Sequence, residues 1–262
     1  KFNHHRLFLI FMLLLSNDIC TNPGPTQNQN IDQQANTWAP FKKRGLHFFH
    51  LNINSLLPKI DEVRHIIRQS KPAVFGISES KLDNTVADSE INVLGYSLIR
   101  VDRDRRGGGV ACYIRNDISF NIVDCLSKNI EGVMFDVLLP KTKSISVGIF
   151  YRPPNQGNFL ETLTNDLEKI DLNSRDIFFL GDFNINLIKN GKYVFDKKCN
   201  IKGDSYSPLA KDYKEFCSVF SFNQLIKNAT RIVCNTTGSL LDHILTNSLE
   251  NISQSGIINI GI

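Results

Sequence analysis

The chain has 262 residues, 42% of them hydrophobic and 21% charged, which fits one large α/β domain with a full core better than two domains. Its net charge of +4 and pI near 8.7 permit a polyanionic partner but, spread over this length, fall short of a nucleic-acid-binding footprint. The six cysteines (Cys20, Cys112, Cys125, Cys199, Cys217 and Cys234) include no close pair of the kind that builds a zinc site and read as free thiols in a reducing compartment.

Residues 7–15 are uninterrupted apolar behind Lys1, His4, His5 and Arg6, a run shorter than the roughly 20 residues needed to span a bilayer. Its length and basic flank fit a secretory signal core, with a buried helix as the plainer alternative. Asp18-Ile-Cys-Thr-Asn-Pro-Gly-Pro25 is a double-proline turn, and it resembles the ribosome-skipping peptides of some viruses and retroelements, with Cys20 where those carry Glu. The chain therefore divides into a leader over 1–25, a flexible Gln/Asn-rich linker over 26–45 and a folded domain over 46–262. It opens on Lys1 and stops at Ile262 inside an expected strand, so a fragment at both ends is expected.

From residue 46 the pattern alternates. Residues 46–51 read as a strand ending at Asn52, and 56–69 as a helix with Leu56, Ile60, Val63, Ile66 and Ile67 at helical spacing. Residues 73–78 form the next short apolar strand and end at Glu79. Residues 107–114, 132–139 and 144–151 are strands with short connections, which predicts antiparallel pairing. Helices are expected over 159–170 and 208–220, and strands over 176–181, 239–245 and 256–260. Mixed strands with helices outside them predict a layered α/β sandwich. Arg103, Arg105 and Arg106 before the triple glycine either grip phosphates or form a solvated hairpin tip whose charge Asp102 and Asp104 dilute.

The strand over 176–181 is continuous Ile/Phe/Leu, which reads as covered on both faces, so the Asp182-Phe183-Asn184 that closes it faces a cleft more naturally than the core. Asn52, Glu79, Tyr151 and Asp242 close apolar strands in the same way. Singly each reads as a turn former or a rim residue. Together they supply what phosphodiester hydrolysis demands: a carboxylate for a hard cation (Glu79), a second to orient or deprotonate water (Asp182), and neutral donors for the phosphoryl oxygens (Asn52, Asn184 and Tyr151).

Seven segments carry a resemblance to the endonuclease/exonuclease/phosphatase superfamily, and within it to the endonuclease domain of LINE-type non-LTR retrotransposons. They are Leu51-Asn-Ile-Asn-Ser-Leu56, Ile77-Ser-Glu-Ser-Lys81, Gly107-Gly-Gly-Val-Ala111, Tyr151-Arg-Pro-Pro-Asn155, Gly181-Asp-Phe-Asn184, Asn228-Ala-Thr-Arg231 and Leu241-Asp-His-Ile244. The resemblance implies a four-layer α/β sandwich, two mostly antiparallel or mixed sheets flanked by helices, with a cleft at one end. It implies a site in which Glu79 binds Mg²⁺ or Mn²⁺ and Asn52, Tyr151, Asp182, Asn184 and Asp242 are catalytic. Thr230 and Ser239 would line the DNA-binding surface with Arg105 and Arg106. The partners implied are DNA and a downstream reverse transcriptase, with no stable membrane association and a nuclear or cytoplasmic location. The alternatives are another phosphoesterase of the superfamily, such as an abasic-site endonuclease or a phosphatase, or an inactive remnant. The last rests on the Ser-Asp-His with which the family completes its site, which does not follow 256–262 here. His243 adjoins Asp242 on the strand, so it is expected to point to the opposite face.

Overall fold

A computed structural model describes residues 8–15 (backbone only), 45–140, 143–172, 174–189, 192–194, 208–232 and 238–260; the proposed skipping peptide and nearly all of the proposed linker lie outside them. Two six-stranded sheets face one another. The first runs β14 (Ile252–Ile260), β1 (Phe8–Leu15), β2 (Leu46–Asn52), β3 (Val74–Ser78), β5 (Val110–Arg115) and β4 (Tyr96–Val101). The second runs β12 (Asn223–Gln224), β13 (Asp242–Thr246), β9 (Asp176–Asp182), β8 (Ile145–Tyr151), β7 (Glu131–Leu138) and β6 (Ser119–Ile122). The short pair β10 (Ile188–Lys189) and β11 (Lys192–Tyr193) stands apart.

Both sheets are mixed. β2 and β3 are parallel and joined through helix α1 (Ile60–Ser70), while β8 and β9 are parallel and joined through a later helix, Phe159–Leu167; the remaining pairs from β3 to β13 are antiparallel. The expected antiparallel run divides: β7 pairs with β8, but β5 goes to the other sheet, between β3 and β4. Gly107–Gly109 are loop rather than strand, since Gly108 and Gly109 have φ of 70° and 81°, a region that favours glycine. The apolar run at 8–15, read as a signal core or a helix, is a strand parallel to β2 and β14.

The layers follow from side-chain alternation along the strands. On β2, Phe49 and Leu51 join Phe75, Ile77 and Tyr113 under α1, whose Ile60, Val63, Ile66 and Ile67 form its buried stripe. Lys71 stops that helix in the left-handed conformation, its N–H on the Ile67 carbonyl. The other face of β2 presents Phe48, His50 and Asn52 to the second sheet, and Phe48 meets Phe178 of β9 edge-on with ring centroids 5.4 Å apart. The outer face of β8 and β9 carries Phe150 and Phe179, packed with Phe183 and Phe222. Over this face lie α2 (Phe159–Leu167) and α3 (Pro208–Val219). Helix, sheet, sheet, helices makes four layers. Each phenylalanine buried between them contributes roughly 1.5 to 3 kcal/mol, so the rims of the two sheets are held in fixed relation.

Candidate active site

Cross-strand register brings four polar residues into one row along the rim of the second sheet. Glu131 pairs with Tyr151, Tyr151 with Asp182 and Asp182 with Asp242. Beneath the row the same face turns apolar with Ile149, Leu180 and Ile244, all buried. Gly181 permits this approach of strands, because a Cβ there would lie 2.2 Å from the Phe150 carbonyl oxygen.

The first sheet closes over the row with Asn52 and Glu79. The Asn52 amide nitrogen donates to Glu79 Oε1 at 3.1 Å and to Asp182 Oδ2 at 2.8 Å, while Asn52 Oδ1 accepts from the Asn54 N–H at 3.2 Å. One amide therefore joins a carboxylate from each sheet. Asp182 is almost fully buried; burial first, and the Glu79 charge in addition, raise its carboxyl to about 7, against the opposing pull of the Asn184 N–H and the Asn52 amide. Lys81 lies beside Glu79, with Nζ 3.7 Å from Glu79 Oε2, and donates a hydrogen bond to Asn54 Oδ1.

The loops that deliver these groups hold each other. Ser55 and Leu56 donate backbone N–H bonds to the Glu79 and Ser80 carbonyls at 2.9 Å each, and Ser80 and Lys81 donate to the Gly109 and Gly108 carbonyls at 3.2 and 2.9 Å. This interlock holds Asn54, Ser55, Glu79 and Lys81 at positive φ, a backbone state costing of order 1 to 3 kcal/mol per residue that persists only where its surroundings over-determine it. Asn184, at φ 49°, closes the other side: its N–H donates to Asp182 Oδ1 and its amide to the Arg152 carbonyl, both at 2.9 Å. Arg152 is buried behind it, with Nη1 donating to the Phe183 and Asn184 carbonyls at 3.3 and 3.4 Å.

Tyr151 lies in the middle of the row. Burial first, then the Glu79 and Asp182 charges, push its hydroxyl above the ordinary tyrosine range, which favours its neutral, donating form. The Asp242 backbone N–H donates to Thr230 Oγ1 at 3.2 Å, and its carboxylate is 3.9 Å from Nδ1 of His50, a buried imidazole whose pKa burial lowers to about 3. His243 points the other way, stacked on Phe183 at 5.3 Å with Nε2 near the Ile185 and Leu240 carbonyls, as alternation requires.

Asn52, Glu79, Tyr151, Asp182, Asn184 and Asp242 are thus gathered at one rim, while the four residues read as nucleic-acid contacts are placed differently. Thr230 is buried, with its hydroxyl committed to the Leu241 and Asp242 N–H groups, and Ser239 is partly exposed with its backbone paired to Thr230 and Arg231. These two shape the turn that carries Asp242. Arg105 and Arg106 are exposed, and Arg106 lies 3.9 Å from Asp104 at the hairpin tip. Glu131, Arg152 and Lys81 were missed, and Arg103, read with Arg105 and Arg106 as a phosphate grip or a solvated tip, was not tied to Glu131. Glu131 opens its strand instead of closing it, and the start of an antiparallel strand reaches the same rim as the ends of its parallel neighbours; searching strand starts as well would have found it.

The donor set fits a hard divalent cation. Glu79, Asp182 and Asp242 offer carboxylate oxygens, the ligand type that hard divalent cations take. Among the described residues no three His, Cys, Asp or Glu side chains converge to hold a metal by themselves. Cys112 and Cys125 are free thiols away from the row.

Among curated protein sequences none matches this chain. The fold has solved relatives: an AP endonuclease from Leishmania major (14% identity over 88% of this chain and 85% of that one, TM-score 0.61) and an AP endonuclease from Archaeoglobus fulgidus (18%, 76% and 85%, 0.51). A third is the endonuclease domain of TRAS1, a telomere-specific non-LTR retrotransposon (13%, 75% and 83%, 0.53). The model of the Endonuclease/Exonuclease/phosphatase family matches residues 49–261, reaching from β2 through the whole rim to the end of β14, and the chain belongs to that family.

Proposed function

We propose that the protein is a divalent-cation-dependent phosphodiesterase that nicks DNA, in the service of a non-LTR retroelement. The observation that carries this reading is the Asn52 amide joining Glu79 to Asp182 across the two sheets, in line with Tyr151 and Asp242. Glu79 would hold Mg²⁺ or Mn²⁺, which would supply Lewis-acid stabilisation of the phosphoryl oxygens and offset the carboxylates. Asp182, desolvated and raised toward neutrality, orients a water and takes its proton. Tyr151 donates to a phosphoryl oxygen, Asn52 and Asn184 fix the Asp182 carboxylate, and Asp242 lies at the far end of the row with His50 beneath it. Fixed donors aimed at developing charge are the largest lever such a site has.

DNA as substrate is supported by the similar solved structures, which include AP endonucleases and a retrotransposon endonuclease domain. A nick with a free 3′-hydroxyl would prime a downstream reverse transcriptase, and a nuclear or cytoplasmic location is proposed with it. No helix among the described residues is long and apolar enough to cross a membrane. The test is a substrate panel with Mg²⁺: supercoiled plasmid, a duplex with one abasic site, a 3′-phosphorylated oligonucleotide and a phosphoinositide. Nicking of unmodified plasmid is expected. Turnover of the abasic, 3′-phosphate or lipid substrate alone would move the protein to another branch of the family, and salt-dependent DNA binding without turnover would make it a binding remnant.

A further inference from the structure

We propose that Arg103 is a phosphate-binding residue of this cleft, taking a backbone phosphate of the DNA strand next to the phosphate that Tyr151 holds. The proposal rests on the phosphodiesterase reading and adds a substrate contact to it.

Of the three arginines before the glycine triplet, the structure builds in Arg103. Its Nη1 donates to Glu131 Oε1 at 2.7 Å and its Nε to the Gly107 carbonyl at 2.8 Å. Its guanidinium carbon lies 5.8 Å from the centroid of the Tyr151 ring, within reach of a cation–π contact. Glu131 is fixed in turn, since it pairs in register with Tyr151 and its Oε2 accepts the Gly109 N–H at 2.7 Å. The glycines make room for this arrangement: a Cβ on Gly107 would lie 2.6 Å from Arg103 Nη2, and one on Gly108 would lie 2.4 Å from its Cζ. The triplet that opens β5 is therefore also a seat for a guanidinium.

A guanidinium has five N–H donors in a rigid fork, and the contacts above engage Nε and one hydrogen of Nη1. The side chain is 37% exposed, and these two contacts being its donor bonds, three N–H groups are left for a ligand. Electrostatics supplies the reason to keep it there. Glu79, Glu131, Asp182 and Asp242 crowd the rim with carboxylates, and an entering phosphodiester is itself an anion. Lys81 is the fixed cation beside Glu79; Arg103 is its counterpart beside Tyr151. Glu131 holds the guanidinium in a single orientation before substrate arrives, which lowers the ordering cost of a two-pronged phosphate contact.

The experiment measures equilibrium binding of the 262-residue chain to a fluorescent DNA duplex in EDTA, over a salt series, alongside nicking in Mg²⁺. Arg103→Ala is expected to weaken binding several-fold and to reduce the slope of log K against log salt by about 0.9, the signature of one lost phosphate contact, while raising KM for nicking more than it lowers kcat. Arg103→Lys is expected to keep most of the slope. The double variant Arg103→Ala/Glu131→Gln removes the carboxylate left unpaired by the first change, and the reduced slope is expected to persist in it. An unchanged slope in Arg103→Ala, or its restoration in the double variant, with wild-type nicking intact, overturns the role of Arg103 alone. A wild type that neither binds DNA in a salt-dependent way nor nicks it overturns the reading underneath as well.

Discussion

Replacing Asp182 by Asn is expected to abolish catalysis and, in the absence of metal, to make the protein more stable at pH 8. The folded-state carboxyl is raised from the ordinary aspartate value of 3.8 to about 7, so the group binds its proton more tightly folded than unfolded. By linkage its unfavourable contribution is absent below about pH 4, grows as pH rises through 7 and is complete at pH 8. At about 1.36 kcal/mol per pH unit the full difference is roughly 4 kcal/mol. The amide recovers only part of it. Asn52 donates to Oδ2 and the Asn184 N–H to Oδ1, so the new NH₂ must face one of these donors, at a cost of about 1 to 3 kcal/mol. The net gain is roughly 1 to 3 kcal/mol, or about 2 to 8 °C in Tm for a domain of this size. Thermal unfolding in EDTA at pH 4.5 and pH 8, wild type against Asp182→Asn, reads the effect. The variant is expected to gain at pH 8 and to show little or no gain at pH 4.5; equal or lower stability of the variant at pH 8 would refute the buried, raised carboxylate.

Tyr151→Phe keeps the ring beneath Arg103 and removes one hydroxyl donor, so kcat is expected to fall about 10²-fold with Tm little changed; an unchanged kcat in steady-state nicking would remove Tyr151 from the chemistry. Gly181→Ala would set a Cβ 2.2 Å from the Phe150 carbonyl oxygen and force β8 and β9 apart, costing about 1 to 3 kcal/mol in denaturant unfolding and reducing nicking through the displaced Asp182. His50 and His243 are both buried with pKa values lowered to about 3. Their stabilising contribution is present above pH 6.5 and is lost as pH falls toward 3, so stability should drop as pH falls through 6 to 4.5, and more steeply in Asp182→Asn, which lacks the opposing proton of Asp182.

Asn52, Glu79, Tyr151, Asp182 and Asn184 were legible because each ends or follows a short apolar run, and apolar runs of that length mark strands buried on both faces; Asp242, read as closing a strand, instead opens β13 and reaches the rim because β13 is antiparallel to β9. Asp182 and Asn184 are the clearest case: the strand before them is Ile-Phe-Phe-Leu, and its covering helices are visible as amphipathic patterns on either side. Pairing register was not legible. Nothing local to Glu131 says that it lies opposite Tyr151, and nothing local to Arg103 says that it reaches Glu131 and not solvent like Arg105 and Arg106. β4 escaped notice because Tyr96–Val101 is a half-buried edge strand carrying Ser97 and Arg100, so its pattern lacks a continuous apolar run. The stretch 8–15 carries only hydrophobicity, which a helix and a central strand satisfy equally; its partners β2 and β14 decide the matter, and β14 lies more than two hundred residues downstream.

The central claim is that Glu79 and Asp182, joined by Asn52, form a cation-dependent phosphodiesterase site, and plasmid nicking tests it most directly. Supercoiled DNA is incubated with wild type and Glu79→Gln, in Mg²⁺ and in EDTA, with Tm measured for both proteins. Open circles are expected from wild type in Mg²⁺ alone, with the variant slower by about 10²-fold or more at similar Tm. Nicking that persists in EDTA, or that Glu79→Gln leaves intact, would contradict the account.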